Sequence, residues 1–143
     1  MNEKINKFDP GKYGFEVYDQ SQYRGTDGDY ITITPKGHIS LSISEDSYWT
    51  VHDVLYLEDD NVSVAANDKG EIVLYNGNQK LRMSSQSNKK RGGRRTISIM
   101  LLRYRFYKIF GEDVKRIPLK VSVFGEGNAI LFTPMKNCIE RRK

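Results

Sequence analysis

The run "YITITPKGHISLSIS", residues 30–44, alternates in character: Ile31, Ile33, Ile39, Leu41 and Ile43 fall on one parity, Thr32, Thr34, Ser40 and Ser42 on the other. Successive side chains of an extended chain point to opposite faces, so this spacing predicts two strands with one buried face. Pro35-Lys36-Gly37 interrupts the alternation and predicts the tight turn of a β-hairpin. Ser44 followed by Glu45 and Asp46 has the features of a helix start, a hydroxyl cap and early negative charge. One short helix is expected over Glu45–Val51, anchored to the core by the single Trp49. "DVLYLEDDNVSVAANDKGEIVLYNG" then predicts three strands, Val54–Leu57, Val62–Ala65 and Glu71–Tyr75, divided by the turn sequences "EDDN" and "NDKG".

Apolar patterning lapses in "NQKLRMSSQSNKKRGGRR", rich in Ser, Asn, Gly and positive charge, which predicts an exposed, mobile connection. It resumes with the short strand "TISIM" and with "LLRYRFYKIFGEDV", where Leu102, Phe106, Ile109 and Phe110 form one helical stripe. Arg103 and Lys108 lie off that stripe, and Gly111 stands where a helix C-cap is expected. "RIPLKVSVFGEGNAILFTP" predicts a second hairpin, Leu119–Phe124 and Ala129–Thr133, joined through "GEGN". The first 29 residues are rich in turn sequences and predict an irregular arm with one short strand at Phe15–Tyr18.

These elements define a mainly β fold with short helices, of the α+β class, as a swapped-hairpin or small β-barrel architecture. The expected organisation is an irregular N-terminal arm over 1–29, a β-rich first half over 30–83 and a basic flexible connection over 84–95. A strand-helix-hairpin second half over 96–135 and a basic tail over 136–143 complete what is read as one compact domain. Strand, helix and two further strands recur in the same order in both halves, which points to internal duplication. One such unit cannot cover both faces of its strands, whereas two can pair into a barrel.

Charge sharpens the division. Residues 1–79 carry 6 Lys/Arg against 14 Asp/Glu, a net of −8, while residues 80–143 carry 17 against 4, a net of +13, giving +5 for the chain of 143. Such asymmetry points to nucleic acid, to an acidic partner or to self-association between unlike faces, and a homodimer is one expectation. No apolar run approaches the roughly 20 residues that span a bilayer, and "MNEKINKFDPGKYG" has no apolar signal core. Membrane association is therefore not expected, and the cytoplasm is the expected compartment.

Catalytic groups do not assemble in the sequence. His38 and His52 are the only histidines and Cys138 the only cysteine, with none of the spacings that hold a metal ion. "GEGNA" lacks the Lys-Ser/Thr of a phosphate-binding loop, and "EDDN" lacks the spaced oxygens of a calcium loop. No enzyme, cofactor or metal is expected. The chemistry present is that of binding. Lys89, Lys90, Arg91, Arg94 and Arg95 lie in a glycine-containing segment able to follow a phosphate backbone, releasing counterions as it does so. Arg103, Arg105 and Lys108 follow on the helix, interleaved with Tyr104 and Tyr107, where charge and stacking rings combine.

The hairpin "ITITPKGHISLS", the helical segment after it and "DVLYLEDDNVSVAANDKGEIVLYN" resemble the AbrB-type swapped-hairpin domain of bacterial regulators. The nearest form is the longer one of phages and mobile elements, with two related halves in one chain. The resemblance covers Tyr30–Tyr75, and Thr96–Thr133 by pattern alone. This chain departs from the family at the first hairpin: Gly37 is followed by His38 and Ile39, without the family's Arg and Pro. What the resemblance implies is a DNA-binding regulator, commonly oligomeric. The alternative carried by charge alone is a small phage-type inhibitor or adaptor that binds a host protein, such as a nucleic-acid-handling defence protein.

Overall fold

In the computed structural model, residues 9–14, 28–85 and 93–142 are described, so the strand expected at Phe15–Tyr18 lies outside them. Strands β1 (Asp29–Ile33) and β2 (Ile39–Ile43) form the expected hairpin, in register from Tyr30↔Ser42 to Ile33↔Ile39. All five aliphatic residues of the predicted face are buried. Gly37 closes the turn at φ +87°, a conformation that a side chain resists, and a Cβ there would come within 2.7 Å of Arg103.

Helix α1 (Glu45–Leu55) starts where the sequence places it, with the Ser44 hydroxyl accepting from the Ser47 N–H, but runs four residues further than expected. The strand read at Val54–Leu57 does not form. Tyr48, Val51 and Leu55 fall at helical spacing and are buried, so the apolar run after Asp53 continues the helix stripe. Trp49, one residue beyond Tyr48, is rotated off this stripe and is 55% exposed; Tyr48 is the anchor in its place. Removing the cap by Ser44→Ala is expected to lower stability by about 1 kcal/mol in urea denaturation, with Ser44→Asn retaining most of it. An unchanged midpoint in Ser44→Ala would show that the cap contributes nothing.

Strands β3 (Asn61–Ala66) and β4 (Ile72–Tyr75) form the next hairpin. The stretch expected to be an exposed connection instead holds two short strands, β5 (Leu81–Arg82) and β6 (Ser84–Ser85), with Met83 fully buried between them. Strand β7 (Arg95–Ser98), a 3-10 turn at Met100–Leu102 and helix α2 (Arg103–Phe110) follow. Strand β8 begins earlier than the sequence suggests and runs over Val114–Phe124, paired with β9 (Ala129–Pro134) through the predicted "GEGN" turn. A last strand, β10 (Glu140–Arg141), pairs with β8. The C-terminal residues are docked there: Arg141 donates to the Phe110 carbonyl and to Asp113, and Arg142 to the carbonyls of Val114 and Ile33.

The strand order is β5-β3-β4-β9-β8-β1-β2-β7-β6, antiparallel throughout. The two ends of that order are adjacent in the chain, since Leu81 and Arg82 pair with β3 while Ser84 and Ser85 pair with β7. The segment therefore draws the edges together into a nearly closed, barrel-like sheet. Near-closure leaves few unpaired edges and lets inward residues of β1–β4 and β7–β9, among them Ile31, Leu41, Leu74, Ile97, Ile117 and Phe132, share one core. Helix α1 follows directly on β2, and α2 packs against two turns, with Arg103 at Gly37 of the β1–β2 turn and Phe110 at Gly70 of the β3–β4 turn. Phe106 and Phe110 stack at 5.8 Å on the buried side of α2.

Candidate nucleic-acid interface

The eight cations singled out in the sequence separate into four environments. Lys89, Lys90 and Arg91 lie outside the described residues, between β6 and β7 in the chain. Arg94 is only 2% exposed and directed inward: it donates to the Ser42 hydroxyl at 2.9 Å and to the Gly28 carbonyl at 2.6 Å, and its guanidinium lies over the Tyr30 ring. Its surroundings make it part of the barrel wall. Arg95 is half-buried, with its guanidinium 4.2 Å from the Tyr48 ring centroid and a hydrogen bond to the Gly93 carbonyl. Arg103 is half-buried as well, reaching the Gly37 carbonyl and the Tyr104 hydroxyl.

Arg105 and Lys108 alone of the eight are exposed among the described residues. The reason is helical geometry: Phe106 and Phe110 bury one face of α2, and positions 104, 105 and 108 fall on the other. Tyr104, Arg105, Lys108 and Ile109 line an open cleft of about 700 Å³ with Asp68 of the β3–β4 turn. Arg105 pairs with Asp68 at 3.0 Å. Both partners are largely in water, where such a pair is worth about 0–1 kcal/mol, so a phosphate can take the place of the carboxylate. Tyr104 and Tyr107 meet edge to face at 6.2 Å, leaving Tyr104 largely exposed beside the two cations. A flat ring flanked by two flexible positive charges can stack on a base or hydrogen-bond a phosphate while the charges neutralise the backbone.

Two polar clusters have no local signature in the sequence. The Asp29 carboxylate, buried at the start of β1, accepts from the Ser44 N–H at 2.8 Å and the Ser47 hydroxyl at 2.7 Å. Burial holds its pKa above the usual carboxylate value, although those hydrogen bonds and the charge of Arg94 act the other way. In the second cluster the Asp60 carboxylate accepts from the Tyr48 hydroxyl at 2.6 Å and contacts His52 Nε2 at 2.9 Å. Partial burial raises the Asp60 pKa, but the hydrogen bonds from Tyr48 and His52, with the charges of His52 and Arg95, outweigh it and leave the group below its ordinary value. Tyr48 titrates above the usual phenol range, through desolvation and its bond to Asp60. Both clusters tie α1 to the sheet.

Among the described residues no three His, Cys, Asp or Glu side chains are grouped to hold a metal ion. Nor, among them, is any helix long and apolar enough to cross a membrane. Comparison with protein-family models, with curated proteins and with solved structures finds no match to this chain.

Proposed function

We propose that this protein is a non-enzymatic DNA-binding regulator of the phage or mobile-element type, contacting phosphates through α2 and the basic segment 89–95. The observation that carries the proposal is the solvent face of α2, where Tyr104, Arg105 and Lys108 share one cleft. Geometry extends the surface. β7 runs from Arg95, beside Arg94, to Ser98, just before the turn that leads into α2, and its four residues span about 13 Å. A duplex carries one charge per roughly 1.7 Å of its axis, so one helix laid along β7 meets both basic regions. In this arrangement Arg105 and Lys108 supply backbone contacts at the α2 end, Lys89, Lys90 and Arg91 add theirs from the segment that precedes β7 in the chain, and Arg94 holds the barrel wall.

The AbrB-type resemblance and the internal duplication belong to the same reading. What supports them is the interleaving of the halves: the β1–β2 hairpin lies between β7 and β8, as a hairpin exchanged between two equivalent units does. The proposal is tested by fluorescence anisotropy of labelled duplex DNA across a salt series. Changing Arg105 and Lys108 together to Ala is expected to weaken binding and to reduce the slope of log K against log salt by about 1.8, two phosphate contacts' worth. Absence of binding at low salt, or an unchanged slope in the variant, would overturn the assignment.

A protein partner is the second reading, favoured by Leu101, which is 98% exposed in the turn before α2 beside the exposed Met100 and Tyr104. Exposed large apolar side chains in a cluster mark protein contact surfaces. If the chain acts as an inhibitor or adaptor, Leu101→Asp abolishes capture of the partner, while the Arg105 and Lys108 changes leave it intact.

A further inference from the structure

A second concave surface lies where the C-terminal end of α1 meets the β8–β9 turn. It is a cleft of about 540 Å³, in the range of small-ligand sites, and three aromatic rings line it: Tyr56, Tyr75 and Phe124. Each ring is open to solvent, Tyr56 at 88%, and among the described residues none of the three stacks on another ring. Tyr56 is the one described non-glycine residue with positive φ (52°), at the left-handed C-cap of α1. Asn76 fixes the α1 side of the cleft, donating its amide to the Leu55 carbonyl at 2.6 Å.

The electrostatics of this cleft differ from those of α2. Its lining is uncharged. Although 23 of the 143 residues are Lys or Arg, none lies within two positions along the chain of any lining residue, whereas Asp53, Glu58, Glu71 and Glu126 do. Exposed aromatic rings in an uncharged lining, flanked along the chain by carboxylates and by no Lys or Arg, suit a weakly hydrated positive charge, which the negative face of a ring attracts. A strongly hydrated ion would lose too much solvation in such a lining, while an alkylated ammonium group has apolar methyls to contact the rings and a delocalised charge to be held by them.

From these features we infer that the cleft of Tyr56, Tyr75 and Phe124 is a binding site for a methylated ammonium group, whether free, as in choline, or carried on a lysine side chain of a peptide. Its recognition is cation–π in character, and the carboxylates supply attraction at longer range. Phosphate does not enter. The site is thereby separate in chemistry and in place from the proposed DNA surface, and does not depend on it.

The test is an NMR titration followed at the backbone amides of Gly125, Gly127 and Asn128. Four probes are compared: choline, its neutral isostere 3,3-dimethyl-1-butanol, a short peptide with trimethyllysine and the same peptide with unmodified lysine. Choline and the trimethyllysine peptide are expected to shift these amides, with affinity at least about tenfold above that of the isostere and of the unmodified peptide. A peptide much tighter than choline assigns the ligand to a chain that lies along the cleft, and equal affinities assign recognition to the ammonium head alone. Tyr56→Gly is the decisive variant, because glycine accepts the left-handed conformation and removes the ring without straining the fold. It is expected to abolish the shifts while leaving the melting temperature unchanged or raised. Equal binding of choline and its isostere would make the cleft merely apolar, and binding of neither, or binding retained in Tyr56→Gly, would overturn the assignment.

Discussion

Arg94→Ala is expected to lower the stability of the fold by about 2–4 kcal/mol, because it leaves the Ser42 hydroxyl and the Gly28 carbonyl without their buried donor and takes a positive charge away from the buried Asp29 carboxylate. At about 2–4 °C per kcal/mol for a chain of this size, the melting temperature falls on the order of 10 °C. The pH dependence carries the diagnosis. Burial places the folded pKa of Asp29 above its unfolded value, so the folded state holds this proton more tightly, and stability from this group falls as pH rises from the unfolded value through the folded one. Without Arg94 the folded pKa rises further, so the variant loses more stability between acid and neutral pH than the parent does. Asp29→Asn combined with Arg94→Met removes both charges and is expected to regain part of the loss. Urea denaturation at a series of pH values measures all three proteins. A cost below about 1 kcal/mol, with an unchanged pH slope, would remove the network from any account of the fold.

Phe106→Ala is the second large effect, expected at about 3–5 kcal/mol. Phe106 has no exposed surface, and its ring stacks on Phe110 where α2 meets the barrel. Truncation opens a cavity under a helix of only eight residues, too short to persist without its packing. DNA binding should weaken in step with that loss, since the rigid display of Tyr104, Arg105 and Lys108 rests on this contact. The Arg105 and Lys108 changes, by contrast, should alter affinity with little change in the urea midpoint. A Phe106→Ala protein within about 1 kcal/mol of the parent would show that α2 is held by its ends, at Arg103 and Arg141, more than by its ring stack.

The elements that were legible in the sequence are those whose information is local. Alternation over residues 31–43, the Ser44 cap, the stripe from Leu102 to Phe110 and the "GEGN" turn each bring their determining residues within one or two turns of chain, and each forms as read. Val54–Leu57 was ambiguous for a physical reason. Four apolar residues after a helix fit a buried strand or one more helical turn equally well, and the packing of Leu55 beneath Tyr48 and Val51 decides for the helix. Met83 is a single apolar residue in a polar stretch, and only the approach of β3 and β7 from either side makes it core.

For the candidate interface, composition identified the basic half but not which cations face water. Arg94 and Arg95 are neighbours of equal charge in the chain, yet one is enclosed by Ser42, Gly28 and Tyr30 while the other stacks on Tyr48. Arg94 meets Gly28 and Ser42 across 66 and 52 positions of sequence, a pairing no window along the chain reveals. The aromatic cleft was hidden in the same way, since Tyr56, Tyr75 and Phe124 come from three separate elements.

The interleaved strand order bears on the time at which the protein becomes whole. A ribosome releases the β1–β2 hairpin first, yet the strands that flank it, β7 and β8, are encoded later; Asp29 finds its ladder partner in Leu119. Until then the hairpin exposes two unpaired edges, a template for any neighbouring extended chain. Such non-local pairing also slows folding. The β1–β2 hairpin is consequently covered on both edges only after β7 and β8 have left the tunnel, so a chain cut short before β8 keeps an exposed edge and is prone to aggregate.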